Sequence, residues 1–154
     1  MKIIATIDNE NIYESEDGCV TYTAKAAVDC DGAGGNVWHD PCFQPETSLH
    51  HDGQPLNANR VAYIVVPPAI IKGVKGIVLG CKAQVKWKNT TVDAVVGDIG
   101  PRAKLGEISV LCARNLGMNP SPNSGGADAH NVHYSLWPGA PAVVDGVTYQ
   151  LQRS

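Results

Sequence analysis

The feature that most constrains the fold is a two-residue alternation of apolar and polar side chains. In residues 20–28 one face carries valine, tyrosine and alanine, while threonine and lysine occupy the other face. Residues 83–87 alternate in the same way, with glutamine and lysine between the apolar positions. Because successive side chains of a strand point to opposite faces, both segments are predicted to be β-strands with one buried face.

Short apolar runs bounded by glycine, proline or asparagine predict more strands. They cover residues 2–7, 61–66, 74–79, 91–96, 132–136, 142–144 and 147–151. Asp145-Gly146 separates the last two runs and is a strong hairpin signal. Only residues 108–117 show helical spacing, and Gly117 ends that run as a helix cap. With no repeat and no linker, we predict one catalytic domain over residues 1–154 that folds as a mainly β barrel, with residues 1–19 as a peripheral segment.

Composition excludes several classes of partner. The net charge is −3 and no basic cluster is present, so nucleic acid is not expected to bind. No apolar run approaches the roughly 18 residues of a membrane span. The first ten residues also lack an apolar stretch long enough for a signal-peptide core. We expect a monomer without a membrane partner.

Five cysteines leave at least one thiol unpaired if the others form disulfides. Cys30 and Cys42 flank a glycine-rich loop that a disulfide between them would staple. Whether one or two disulfides form stays open. Cys112 lies on the apolar face of the predicted helix and is expected to be a buried thiol. No zinc-ligand spacing is present, so neither a metal nor another cofactor is predicted.

Two carboxylates stand where a predicted strand leads into the predicted helix. Asp98 is bracketed by Gly97 and Gly100, and Glu107 follows Gly106. Glycines at these positions allow a tight turn and keep bulky side chains away from an approaching molecule. We therefore predict a loop that presents two acids. The structural alternative places Glu107 in the first helical turn, where the helix dipole favours a negative charge.

This region resembles the fungal-type chitosanases, glycoside hydrolase family 75. The motif consists of Gly97-Asp98-Ile99-Gly100-Pro101 and Gly106-Glu107-Ile108-Ser109, although Ile108 replaces a usual small residue. Similar segments are 29–32, 40–48, 61–67 and 132–139. The order of strand, acidic turn and short helix also resembles, more distantly, the double-psi β-barrels. The resemblance implies a barrel of six to eight strands, double-psi-like, with one short helix after the catalytic loop.

The resemblance implies an extracellular, endo-acting chitosanase that cleaves β-1,4 linkages with inversion and without a cofactor. Such cleavage needs one protonated carboxyl to protonate the leaving oxygen and one carboxylate to activate water, about 6.5–9.5 Å apart. Asp98 and Glu107 are the predicted catalytic pair. We expect Glu107 to be the acid and Asp98 the base, and the reverse assignment stays open. No secretion signal is visible, so the export route is open.

Chitosan carries ammonium groups, and acidic side chains along a groove would bind them. The candidate substrate-binding residues are Asp29, Asp31, Asp40, Glu46 and, within the similar segment, Thr47. Asp29 and Asp31 have two further interpretations. One of them could hold the attacking water, or the pair could form an Asx turn that caps the glycine-rich loop.

Two other functions are compatible with the same residues. A glycosidase that cuts peptidoglycan would use the same acid pair. A non-catalytic barrel that only binds polysaccharide would need neither acid. Residues 33–60 are predicted to be a long irregular loop, as functional loops often are. Trp38 in this loop would either stack on a sugar or plug a small satellite core, and the core is the favoured interpretation.

Overall fold

The alternating segments form a sheet that closes on itself. The computed structural model describes residues 1–101 and 103–152. Its strands are β1 (Lys2–Ile7), β2 (Glu10–Glu14), β3 (Val20–Asp29), β4 (His50–His51), β5 (Gln54–Pro55), β6 (Tyr63–Val66), β7 (Cys81–Trp87), β8 (Thr90–Ile99), β9 (Glu107–Ser109), β10 (Ala127–Pro141), β11 (Val143–Val144) and β12 (Val147–Thr148). The main sheet has the order β1-β2-β3-β10-β7-β8-β6-β9, and β9 also pairs with β3. Six strands therefore close into a barrel, which confirms the mainly β prediction.

The first two strands lie outside the closed barrel. They form a hairpin whose turn, Asp8-Asn9, has positive φ at both residues, as a tight β-hairpin turn requires. The hairpin joins the barrel only through β2, which pairs with the start of β3. The polar segment that follows Ile7 is therefore a strand, which the sequence pattern did not indicate.

The described residues form two helices where the sequence predicted one. Helix α2 (Val110–Leu116) is the predicted helix and ends at Gly117, whose φ of 86° is left-handed. Helix α1 (Pro68–Gly73) was not predicted, and the predicted strand over residues 74–79 is wrong. That segment begins with Val74, the C-cap of α1, and continues as a turn with a single bridge at Leu79. A six-residue helix that buries only Ile70 leaves no periodic apolar pattern in the sequence.

The barrel has an internal two-fold relation between its halves. Exchanging β3 with β8, β6 with β9 and β7 with β10 reproduces every strand pair together with its parallel or antiparallel sense. The helices follow the same relation, since α1 comes after β6 and α2 after β9. The two parallel pairs, β3–β9 and β6–β8, flank the central antiparallel pair β6–β9. The ends of β3 and β8 therefore occupy equivalent places in the barrel.

The barrel interior is filled by the apolar faces of these strands. Along β3 the side chains of Val20, Tyr22, Ala24 and Ala26 are buried, while Lys25 and Asp29 belong to the opposite face. Tyr22 stacks on Tyr134 of β10, with ring centroids 4.9 Å apart. The interior is thus a packed core. A ligand site must therefore lie on the outer face or at the strand ends.

Candidate functional site

Three strands bring the predicted acids together at the seam between the two halves. Asp29 ends β3 and lies opposite Ser109 of β9, while Asp98 of β8 lies opposite Val65 of β6. Glu107 begins β9 and lies opposite both Ala27 and Val65. Asp29 and Asp98 therefore lie at or near the ends of β3 and β8, the two strands that the two-fold relation exchanges. The seam of parallel strands, and not a shared loop, collects these carboxyls.

Two predictions about the acids are wrong in detail. Asp98 and Glu107 both lie within strands, although a connecting loop was expected to hold them. Helix α2 starts only at Val110, with Ser109 as its N-cap, so Glu107 precedes the helix and no acid occupies the first turn. The helix dipole therefore does not explain why an acid stands at position 107, contrary to the structural alternative.

Asp98 is almost buried, with 8% of its surface exposed, and a set of hydrogen bonds holds it. The backbone N–H and the hydroxyl of Ser48 donate to Oδ1 at 2.9 and 2.8 Å, and the backbone N–H of Ile99 donates to the same oxygen at 2.9 Å. A register shift in β8 next to Asp98 accompanies Gly97. A Cβ at Gly97 would lie 2.7 Å from side-chain atoms of both Leu56 and Tyr63, so only glycine fits there.

The segment after β3 folds back on itself and fixes two more carboxyls. The N–H of Asp31 donates to Oδ1 of Asp29 at 2.7 Å, which is the predicted Asx turn. The N–H of Gln44 donates to Oδ1 of Asp31 at 2.8 Å. From β6 the buried Tyr63 donates its hydroxyl to the carbonyl oxygen of Asp31 at 2.9 Å. The Asx turn therefore also delivers two acids to the seam.

Asp29, Asp31 and Asp98 each place one carboxylate oxygen within 4.8 Å of the others. Oxygen ligands at this spacing could hold a hard divalent cation. Burial is the first cause that raises the pKa of every acid in the group. It raises the pKa of Asp29 to about 8, with smaller contributions from the charges of Asp31, Asp98 and Glu107. The pKa values of Asp31, Asp98 and Glu107 also rise, because burial disfavours the charged form of each carboxyl.

An open cleft of about 520 Å³ runs along these residues. Its lining includes Lys25, Ala27, Asp29, Asp31, Asp40, Cys42, Gln44, Lys104 and Glu107. Lys25, Ala27 and Asp29 belong to the same face of β3, which forms one wall. The positive charges of Lys25 and Lys104 lower the pKa of Glu107, against the larger effect of burial. The cleft thus has basic groups near Glu107 and carboxylates at Asp31 and Asp40.

The other predicted binding residues divide into two groups. Asp40 lines the cleft, where its Oδ1 accepts the N–H of Cys42 and its Oδ2 accepts the thiol of Cys30. Thr47 does not line the cleft and is only 4% exposed. Its hydroxyl donates to the carbonyl of Leu49 and accepts the N–H of Leu56, so it fixes the loop. The structure places Thr47 in the loop interior and outside the cleft lining, and its contact with substrate stays a prediction.

Glu46 is exposed, pairs with His50 at 2.8 Å and lies outside the cleft lining.

The aromatic side chains of the loop pack against the core, as the favoured interpretation expected. Trp38 is half-buried against the core and donates its ring N–H to Asn59 at 2.9 Å. All five cysteines are unpaired, so the possible Cys30–Cys42 disulfide is not present in this structure. Cys112 is buried, as predicted.

Sequence reasoning missed two residues of the site. Ser48 contacts Asp98 from 50 positions away along the chain. Both Ser48 and its neighbour Thr47 lie in segment 40–48, but only Thr47 was predicted to contact the substrate. Tyr63 was assigned to an apolar strand, and nothing in its local sequence distinguishes a core tyrosine from one that reaches an acidic site.

No helix among the described residues is both long and apolar enough to cross a lipid bilayer.

Comparison with known proteins does not assign the chain to a family. No protein-family model matches the sequence, and no curated protein matches it. The resemblance to the family 75 chitosanases therefore stays a hypothesis. Among solved structures, the chain is similar to the Streptomyces papain inhibitor, with a TM-score of 0.45 and 14% sequence identity. The similarity covers 76% of this chain and 94% of the inhibitor.

Proposed function

We propose that the chain is a glycoside hydrolase that cleaves a β-1,4-linked polysaccharide by acid–base catalysis with inversion. One observation carries the proposal. An open cleft is lined by Asp29, Asp31 and Glu107, whose pKa values are raised by burial. Asp98 lies beside this lining, with a carboxylate oxygen within 4.8 Å of those of Asp29 and Asp31, and three hydrogen-bond donors lower its pKa against the effect of burial. Pairs of acids whose environments separate their protonation states are what glycosidic cleavage requires.

Glu107 is the proposed general acid. It lines the cleft, and its pKa is raised first by burial and then by the charges of Asp98 and Asp31. A carboxyl that keeps its proton near neutral pH can donate it to the glycosidic oxygen as the bond to the anomeric carbon breaks. Leaving-group expulsion without that proton would produce an alkoxide, which is a poor leaving group at neutral pH.

Asp98 is the proposed general base. Its carboxylate would take one proton from a water molecule as the water oxygen bonds to the anomeric carbon on the face opposite the leaving group. Each turnover then moves one proton from Glu107 to the leaving oxygen and one from water to Asp98, and the configuration inverts. The free enzyme is restored when Asp98 returns a proton and Glu107 regains one from solvent.

Chitosan is the proposed substrate because the cleft can bind its ammonium groups at one end. Asp31 and Asp40 line the cleft, and a partly desolvated carboxylate attracts a cation more strongly than an exposed one. Lys25 and Lys104 disfavour an ammonium group beside Glu107. The proposal therefore places glucosamine units along the aspartates, and it assigns the activity to the outside of the cell, where such polymers occur.

The test is hydrolysis of chitosan oligomers, with the anomer of the first product followed by NMR. Wild type should release the α anomer from the β-linked chain. Glu107→Gln and Asp98→Asn should each lose roughly a thousandfold in kcat, within the range for removal of one general acid or base. Asp93→Asn, an exposed acid on the same strand, is the matched control and should keep full activity.

Three results would contradict the proposal. Full activity of both site variants would exclude acid–base catalysis at these residues. Cleavage of peptidoglycan and not chitosan would keep the mechanism and change the substrate. Binding of chitosan without release of product, in wild type and variants alike, would make the protein a polysaccharide-binding barrel.

A further inference from the structure

The hydrogen bonds to Asp98 are distributed unequally between its two oxygens. All three donors reach Oδ1, two from Ser48 and one from Ile99. Within the described part of the chain, Oδ2 accepts no hydrogen bond. One oxygen is therefore fixed by the protein while the other keeps its lone pairs available. A general base needs this division, since the fixed oxygen sets the orientation and the free oxygen takes the proton.

The direction of the Ser48 hydroxyl bond is set by a second contact. The backbone N–H of Ile99, besides its bond to Asp98, lies 3.2 Å from Oγ of Ser48. Ser48 therefore accepts from Ile99, and its own O–H is directed to Asp98 at 2.8 Å. A carboxylate can accept three such bonds on one oxygen far better than a neutral carboxyl can. The contact thus favours the ionised form of Asp98.

We propose that Ser48 is a positioning residue that keeps Asp98 ionised, with Oδ2 free, and so makes Asp98 the base of the proposed pair. The role of Asp98 as a base rests on the proposed function. The ionised state of Asp98 rests on the hydrogen bonds alone. It resolves the assignment that the sequence left open, because the proton of the pair then belongs to Glu107.

The surroundings of Asp98 would otherwise favour its neutral form. Asp29 and Asp31 approach from the end of β3 and the turn after it, and Glu107 approaches from β9. From β6 the buried Tyr63 donates its hydroxyl hydrogen bond to the carbonyl of Asp31, so it does not offset the negative charge of Asp98. Lys25 and Lys104 lie near Glu107, on the cleft side. Among the described residues, Ser48 is thus the side chain that donates a hydrogen bond to Asp98.

The pKa shifts agree with this order of ionisation. The charge of Asp98 raises the pKa of Asp29, Asp31 and Glu107. Burial raises the pKa of Asp98 itself, and the side chain of Ser48 is the first of the three hydrogen-bond donors that lower it. The hydrogen bonds to Oδ1 thus oppose the effect of burial at Asp98, as the proposal requires.

The experiment compares Ser48→Ala and Ser48→Thr with wild type and with the control Ser135→Ala on β10. Ser48 is exposed, so its loss should leave the fold intact, which thermal unfolding of each variant checks. Carboxyl ¹³C NMR titrations without substrate measure the pKa of Asp98, with its resonance identified by its absence in Asp98→Asn. The lower limb of the pH–kcat profile on chitosan oligomers is measured in parallel.

Ser48→Ala should raise the pKa of Asp98 by about one, a tenfold change in the ionisation constant, and should move the lower limb of the profile by the same amount. Ser48→Thr should restore both values, and Ser135→Ala should change neither. An unchanged pKa of Asp98 in Ser48→Ala, or a wild-type pKa of Asp98 above that of Glu107, would overturn the proposal. If no polysaccharide is hydrolysed, the proposed function fails, while the titration still decides whether Ser48 holds Asp98 ionised.

Discussion

The two halves of the barrel share one topology and carry different side chains on corresponding strands. Asp29 ends β3, and Asp98 lies next to the end of the corresponding strand β8. Of the central antiparallel pair, β6 contributes Tyr63, whose hydroxyl reaches the carbonyl of Asp31, and β9 contributes Glu107. The first half therefore contributes an acid and a phenol, and the second contributes two acids. The backbone repeats itself, while the chemistry does not.

The halves also differ in how they hold their aspartates. Asp29 accepts a hydrogen bond from the N–H of Asp31 in its own turn, and burial raises its pKa to about 8. Asp98 accepts three bonds, two of them from the distant Ser48. The two strand ends thus hold carboxyls with one hydrogen-bond donor in one half and three donors in the other. The difference teaches that hydrogen-bond donors, and not position alone, shift the pKa of a buried acid.

The sharpest test of this comparison substitutes, in turn, the aspartates near the ends of β3 and β8. Asp98→Asn should lower kcat on chitosan oligomers about a thousandfold, whereas Asp29→Asn should lower it by less than about tenfold. Because burial raises the pKa of Asp29 to about 8, we expect a neutral carboxyl at pH 7, and an asparagine oxygen can still accept the N–H of Asp31. Equal losses in initial-rate assays of the two variants would show that the halves are not divided in this way.

The starts of the two helices offer the next largest effect. The hydroxyl of the fully buried Ser109 accepts the N–H groups of Tyr63 and Cys112 and donates to the carbonyl of Val61. Ser109→Ala should therefore lower the free energy of unfolding by about 3 kcal/mol, because it leaves buried polar groups without partners. The start of α1 has no side-chain cap, so Pro68→Ala there should cost less than about 1 kcal/mol.

Urea unfolding followed by circular dichroism measures both changes. Equal losses of stability in the two variants would show that the Ser109 network adds nothing to an ordinary helix start. The comparison is informative because the two helices occupy equivalent places in the barrel.

The irregularity beside Asp98 gives a smaller effect. Gly97→Ala should cost about 2 kcal/mol, since its Cβ would lie 2.7 Å from atoms of Leu56 and Tyr63. Gly100→Ala is the matched control, because the nearest atom to its Cβ would be 3.4 Å away, and it should change stability by no more than about 0.5 kcal/mol. Denaturant titration compares them. A Gly97→Ala variant as stable as Gly100→Ala would mean that the register shift tolerates a side chain.

The smallest effect, when it is expressed per pH unit, is on the pH dependence of stability. An aspartate whose folded pKa is raised to about 8 binds more protons in the folded state than in the unfolded state between about pH 4 and pH 8. Stability should therefore fall as pH rises through this window, by up to about 1 kcal/mol per pH unit. Asp29→Asn should flatten the fall and be more stable than wild type at pH 8. Unfolding curves at pH 5, 6, 7 and 8 measure this, and a steeper fall in the variant would contradict the shifted pKa.

Much of the fold could be predicted from local pattern. The alternation of residues 20–28 and 83–87 identified β3 and β7, and Asp145-Gly146 identified the last hairpin. Helix α1 was missed because a short helix with one buried residue has too few turns to show its period. The acids could be selected as candidates because glycines surround them. Their places within strands could not be predicted, because strand length is decided by pairing with distant partners.

The sequence by itself determined a mainly β chain, the short helix after Ser109 and the acids available for chemistry. These depend on side-chain period, on the conformational freedom of glycine and on residue type, which are local properties. Only the tertiary structure decided which acids meet, because the parallel pairs β3–β9 and β6–β8 join residues far apart in the chain. It also decided the charge of each acid, since burial and donors such as Ser48 come from other segments. Thr47 and Ser48 are neighbours in sequence, yet folding directs one to the loop interior and the other to Asp98.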